Sequence, residues 1–300
     1  PGSDRRSGPR SPAPALAVTA PYTSRMSPET APTALRIVAR NLAAGEAFSI
    51  HDDARARAAG YAGGLVTGVT ILGYVTRALE ERFGRAWLAR GRLSIRFRRP
   101  VYDGQPLDIR LPERNGSLTV AVYGPDGERA AEGEASLASA TAPEARPWRR
   151  MIPSSPAAGA REDLLAYEDL APGLDLVPLP VRLTRDLVRR WTEEIGDEQP
   201  WYAETPPPVH PAQYARIPIE LLHRAMGRRP TIHVASEIDN LAEARADQEF
   251  LTYAYVLETY ERKGQGYLVL DLLTVDESGR EVARQRYTSI QRMRGLEERQ

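Results

Sequence analysis

The sequence predicts an α+β fold of two tandem repeats, each a curved antiparallel sheet wrapped around one central helix. Three observations carry that prediction: one order of elements occurs twice, each half holds one long apolar stretch of helical character, and turn signals stand at matching places. In the first half, residues 35–38 read as a short strand, 43–60 as a polar loop, and 65–83 as a helix because so long an apolar run exceeds an ordinary strand. Strands follow at 93–97, 106–111, 118–124 and 129–137. In the second half, 181–183 leads into 185–195, a proline-rich loop runs through Pro208, and a helix covers 214–226. Strands follow again, at 233–238, 250–261, 266–276 and 281–292. The turns Pro125-Asp126-Gly127 and Asp276-Glu277-Ser278-Gly279 each separate the last two strands of their half. One long helix against a strongly curved sheet of long antiparallel strands is the hotdog arrangement, so two in one chain make a double hotdog.

Composition sets the boundaries. Residues 1–33 carry seven prolines among Ser, Ala, Arg and Gly and read as a disordered N-terminal segment. Seven more prolines between 141 and 180 mark a linker, which places the first repeat at 34–140 and the second at 181–295, each with its own core. Forty basic residues balance forty acidic ones, so no global field favours nucleic acid or an anionic membrane. The chain has no cysteine, which excludes disulfides, thiolate metal sites and a thiol nucleophile. No apolar run approaches the roughly 18 to 20 residues of a membrane span, and 13–20 is too short and proline-rich for a secretory signal. A soluble, cytoplasmic protein is the expectation.

Two stretches carry a family resemblance. The first runs Gly45-Glu46-Ala47-Phe48-Ser49-Ile50-His51-Asp52-Asp53, then an alanine-rich turn and Gly63-Gly64-Leu65-Val66-Thr67-Gly68; further on stand Pro100-Val101-Tyr102-Asp103-Gly104. The second is Gly196-Asp197-Glu198-Gln199-Pro200-Trp201-Tyr202. Together they resemble the MaoC-like, (R)-specific enoyl-CoA hydratase family, whose motif Gly-Asp-x-Asn-Pro-x-His-x-Asp is followed by an entry into the central helix. The resemblance covers about 230 residues and departs from the family at the chemistry. In the first half His51 and Asp53 match while Glu46 replaces the aspartate; in the second, Asp197 matches while Tyr202 replaces the histidine. At the helix entry, Thr67-Gly68 replaces His-Gly in the first half, and Val209-His210-Pro211 keeps the histidine in the second.

The resemblance implies addition or removal of water at the α,β position of an acyl thioester carried by coenzyme A or an acyl carrier protein, with no separate cofactor. That chemistry needs a carboxylate and an imidazole on one water, and N–H donors for the thioester oxygen at a helix N-terminus. His51 is the candidate acid/base, with Glu46 or Asp197 as the carboxylate; Asp53, Gly64, Thr67, Gly68, Trp201, Tyr202 and His210 are candidate substrate-binding residues. Structural readings stand beside these: His51 and Asp53 as loop braces, Glu46 as a surface group, Asp197 as a turn residue, His210 as a helix cap. His223 and His233 read as structural. Arg92, Arg96 and Arg98, with Arg99 adjacent, either grip phosphates of the carrier or form a solvated face. The histidines lack metal-type spacing, so no metal is expected. Related readings remain cyclisation, thioester hydrolysis or non-catalytic acyl binding, in a monomer or homodimer.

Overall fold

The computed structural model describes residues 33–46, 49–114, 117–138 and 164–293. The first repeat contains β1 (Thr33–Val38), the short α1 (Asp53–Ala58), the central α2 (Gly68–Phe83) and a 3-10 turn leading to α3 (Trp87–Arg90). It continues with β2 (Gly91–Phe97), β3 (Pro106–Arg110), the two-residue β4 (Glu113–Arg114), β5 (Ser117–Tyr123) and β6 (Arg129–Leu137). The second repeat holds β7 (Asp175–Arg182), α4 (Arg185–Ile195), 3-10 turns at Pro200–Ala203 and Pro211–Arg216, and α5 (Ile217–Met226). It closes with β8 (Ile232–Asn240), β9 (Glu249–Arg262), β10 (Gln265–Asp276) and β11 (Glu281–Arg292).

The strands form one sheet in the order β1-β3-β5-β6-β2-β8-β11-β10-β9-β7, with β4 paired to β5. Read from either edge, the order pairs β1 with β7, β3 with β9, β5 with β10, β6 with β11 and β2 with β8, which is the signature of a duplication. The repeats meet where β2 and β8 pair antiparallel, from Arg92 opposite Asp239 to Arg96 opposite Ala235.

The central helix forms because Thr67 caps it, its hydroxyl oxygen accepting from Thr70 N at 3.0 Å, and it buries residues on nearly every side. Its counterpart differs from the continuous helix expected over 214–226. Pro218 sits in the first turn of α5, and the residues ahead of it wind as a 3-10 helix from Pro211. A proline there lacks an N–H that the helix does not need, but it clashes with any helical turn continued upstream. The loop read at 43–60 likewise contains α1, started by Asp52, which accepts from Arg55 N at 3.0 Å.

The cores are not separate, as the sequence suggested. Trp191 and Ile195 of α4 join the cluster around α2, together with Ala212 and Ala215. Gly73 of α2 makes room: a Cβ there would lie 3.0 Å from Trp191 Cζ2 and 3.1 Å from Ile195 Cγ2. Each such large side chain is worth about 1.5–3 kcal/mol when fully buried. The segment read as linker is ordered in its second part, with a 3-10 turn at Tyr167–Asp169 and β7 starting at Asp175. The segment read as disordered, 1–33, ends one residue too late, because Thr33 opens β1; its residues 1–32, and the linker up to residue 163, lie outside the described residues. Among the described residues no helix is long and apolar enough to cross a membrane.

β6 comes close to the β2 backbone at Gly133, which pairs with Ile95; a Cβ there would collide with the Ser94 carbonyl group. Gly133→Ala should therefore cost about 3 kcal/mol of stability, as overpacking against rigid backbone does. Urea unfolding measures this, and an unchanged midpoint would show that the strand yields.

Candidate active site

A cavity of about 410 Å³ opens where the first repeat meets the second. Its first-repeat wall is the loop bearing Glu46 and His51 together with the N-terminus of α2; its second-repeat wall includes α5, with His223, and the start of β8, with His233.

His51 is held by its surroundings. Its Nδ1 lies 2.6 Å from the Leu65 carbonyl oxygen, so Nδ1–H donates and Nε2 keeps its lone pair. The backbone is pinned as well: Asn41 Nδ2 donates to the His51 carbonyl at 2.9 Å, and Leu65 N donates to Ile50 O at 3.1 Å. Burial lowers the imidazole pKa, outweighing the opposite pulls of the Leu65 carbonyl and Glu46. The ring is thus a neutral base. Glu46 is exposed at the edge of the cavity, from where its charge acts on both His51 and His223.

The expected helix-entry residues divide into two roles. Thr67 and Gly68 line the cavity, yet the Thr67 hydroxyl is taken by its cap and by Thr70 Oγ1 at 2.8 Å. The donors left at this end are the N–H groups of Gly68 and Val69, the first of the helix. Asp53 and Gly64 do not line the cavity; they support it. Asp53 Oδ1 accepts from Gly64 N at 2.7 Å, and a Cβ on Gly64 would collide with the His51 carbonyl, so this contact sets the height of the histidine loop.

His233 and His223, read as structural, both line the cavity. His233 Nε2 is 2.8 Å from Ser236 Oγ, and its ring stands edge-on to Phe97 at 4.8 Å and tilted against Tyr287 at 4.7 Å. Burial pushes its pKa down to about 3. It also explains Gly68, where a Cβ would lie 2.6 Å from His233 Nδ1. Of the arginines, Arg98 and Arg99 line the cavity with Arg216, Arg228 and Arg229, whereas Arg92 and Arg96 do not. Arg92 instead faces Asp239 across the seam at 4.0 Å.

Asp197, Trp201, Tyr202 and His210 lie elsewhere, in a sealed cluster around Glu80 of α2. Tyr202 OH donates to Glu80 Oε1 at 2.8 Å and Trp201 Nε1 to Oε2 at 3.2 Å. His210 Nε2 is 3.4 Å from Asp197 Oδ2 and 4.0 Å from Glu80 Oε1, with all three side chains buried. The pairing of His51 with Asp197 is therefore not built, because they belong to different sites. Glu80 escaped sequence reading, although its place one residue after Leu79 and four after Thr76 put it on the buried helix face. The spacing of Glu80, Asp197 and His210 within 4.8 Å could suit a metal ion. The imidazole speaks against it: His210 Nδ1 accepts from Ala212 N at 3.2 Å, so Nε2 carries the hydrogen and offers no lone pair.

No protein-family model matches the sequence, and no curated protein matches it. Solved structures do. A protein assigned as a MaoC domain dehydratase from Chloroflexus aurantiacus superposes with a TM-score of 0.65 at 12% identity, covering 88% of this chain and 94% of that one. A conserved hypothetical protein from Mycobacterium tuberculosis with a double hotdog fold gives 0.62 at 12% identity, over 88% and 96%. A MaoC-like dehydratase gives 0.51 at 15% identity, over 80% and 87%. The fold is thus a double hotdog of the kind seen in MaoC-like dehydratases.

The sealed cluster has a measurable signature. Burial first, and Asp197 second, hold the Glu80 carboxyl well above its usual 4.5, against the hydrogen bonds from Tyr202 and Trp201. The folded chain therefore binds this proton more tightly than the unfolded one. Its stabilising contribution is intact below pH 4.5 and is lost as pH rises toward the elevated folded value. Glu80→Gln, neutral at every pH, should remove that slope, so the Tm of the parent falls relative to the variant between pH 4.5 and neutrality. Parallel Tm curves would refute the raised Glu80 carboxyl.

Proposed function

We propose that the chain is a hydro-lyase acting at the α,β position of an acyl thioester, working in the first-repeat cavity. The observation that carries this reading is the free Nε2 of a neutral, carbonyl-anchored His51 in the same cavity as Glu46 and the first N–H groups of α2. In the hydration direction, Nε2 takes a proton from water as the water oxygen bonds to the β-carbon. The β-carbon's share of the double bond moves into the thioester, whose oxygen becomes enolate-like and accepts from Gly68 N–H and Val69 N–H. Glu46 stabilises the imidazolium, and the proton then goes to the α-carbon, restoring the carbonyl and the base. Dehydration is the reverse. This sequence consumes no cofactor and needs no metal ion.

The arginines around the cavity, Arg228 and Arg229 on one side and Arg98 and Arg99 on the other, suit the phosphates of coenzyme A or of a phosphopantetheine arm. Asp197, Trp201, Tyr202 and His210 have no place in this mechanism, since they sit in the sealed cluster. Similarity of fold supports the reaction class without fixing it, because one fold hosts several chemistries.

The test follows enone absorbance and free thiol in parallel with enoyl and 3-hydroxyacyl thioesters. The expected result is enone change without thiol release, reduced by a factor of about 10² or more in His51→Ala, as loss of a general base entails. Because the neutral ring is the active form and burial lowers its pKa, kcat/KM should hold at neutral pH and fall on acidification with a midpoint below 6.5. Thiol release without enone change would turn the reading to a thioesterase, and full activity in His51→Ala would remove the mechanism.

A further inference from the structure

The geometry points to Trp191 as the wall that limits how long an acyl group the cavity accepts, an assignment that rests on the acyl-thioester reading above. Trp191 belongs to α4 of the second repeat but lines the cavity beside the N-terminal half of α2. Its indole is 5% exposed and seated in the notch that Gly73 leaves on α2. On its other side stands His210, with ring centroids 6.4 Å apart and planes at 66°. One ring therefore separates the cavity from the Glu80, Asp197 and His210 cluster.

What lies behind the wall explains why it must be solid. Asp197 Oδ2 and His210 Nε2 are buried there without a hydrogen-bond partner among the described residues, as is the one polar atom of the wall, Trp191 Nε1. An alkyl chain pushed among such groups would bury them further with nothing to bind, which costs free energy. A large apolar ring at the boundary lets a chain gain from burial up to that point and no further.

The experiment uses the full chain and saturated acyl-pantetheine thioesters of stepwise length, the portion common to coenzyme A and carrier-protein substrates, with affinity read by calorimetry. In the parent, affinity should climb about four-fold per methylene and then stop abruptly once the chain tip meets the indole. In Trp191→Ala the climb should continue past that length, and in Trp191→Phe, which keeps an aromatic ring, the break should move less. Trp191→Phe keeps the test readable should the alanine variant fail to fold, which far-UV circular dichroism checks. A break at the parental length in a folded variant overturns the assignment. A normal ladder together with no enone change on enoyl and 3-hydroxyacyl thioesters would sink the hydro-lyase reading and leave the wall standing; failure of every thioester to bind would overturn both.

Discussion

Everything in this molecule depends on the antiparallel pairing of β2 with β8. That seam makes one continuous sheet from two repeats, and it sets the two central helices against the same layer. With the seam in place, β8 delivers His233 to the first turn of α2, and α4 lays Trp191 and Ile195 into the core of the other repeat. The cavity is consequently a product of both halves. Neither repeat alone carries its walls, which is why the duplication behaves as one unit rather than as two domains on a tether.

Duplication also placed two equivalent sites in one chain, and they have gone separate ways. Glu46 and His51 are five residues apart, as are Asp197 and Tyr202. In the first repeat the pair faces an open cavity. In the second, Tyr202 and Trp201 turn their donors onto Glu80, and the position is closed. Burial first, and the neighbouring Asp197 second, raise the Glu80 carboxyl, so the closed site favours a protonated Glu80. A sealed site of this kind braces α2 from behind, and only the first-repeat pair lines an open cavity.

Local physics was readable from the sequence, and contacts across the seam were not. The two-residue period of β11 and the apolar run of α2 fixed those elements to within a few residues, because each pattern reports on its own neighbours. His51 entered through the resemblance of the stretch 45–53 to the family motif, and the structure places it in the cavity wall. His223 and His233 were not legible, since what brings them to the cavity is pairing between strands about 140 residues apart in sequence, from Arg92 to Asp239. Gly68 was read as room for substrate to approach the backbone, and it is room for an imidazole as well. Pro218 was visible, but its consequence, a 3-10 lead-in instead of one long helix, depends on where the preceding loop must end.

The backbone decides which imidazole is able to do base chemistry. His51 is half-buried and His210 fully buried, and both have Nδ1 engaged by the main chain, yet in opposite senses. At His51 the partner is the Leu65 carbonyl, an acceptor, so the ring hydrogen sits on Nδ1 and Nε2 is a base. At His210 the partner is the Ala212 N–H, a donor, so Nδ1 gives up its lone pair and the ring hydrogen sits on Nε2, 3.4 Å from Asp197 Oδ2 but not hydrogen-bonded to it. His210 owes this to its place as the cap of a proline-led 3-10 helix, while His51 owes its state to a loop held back by Asp53 and Asn41. Two loops of different local sequence thus give one residue type two chemistries, and only the one facing the cavity has a lone pair to use.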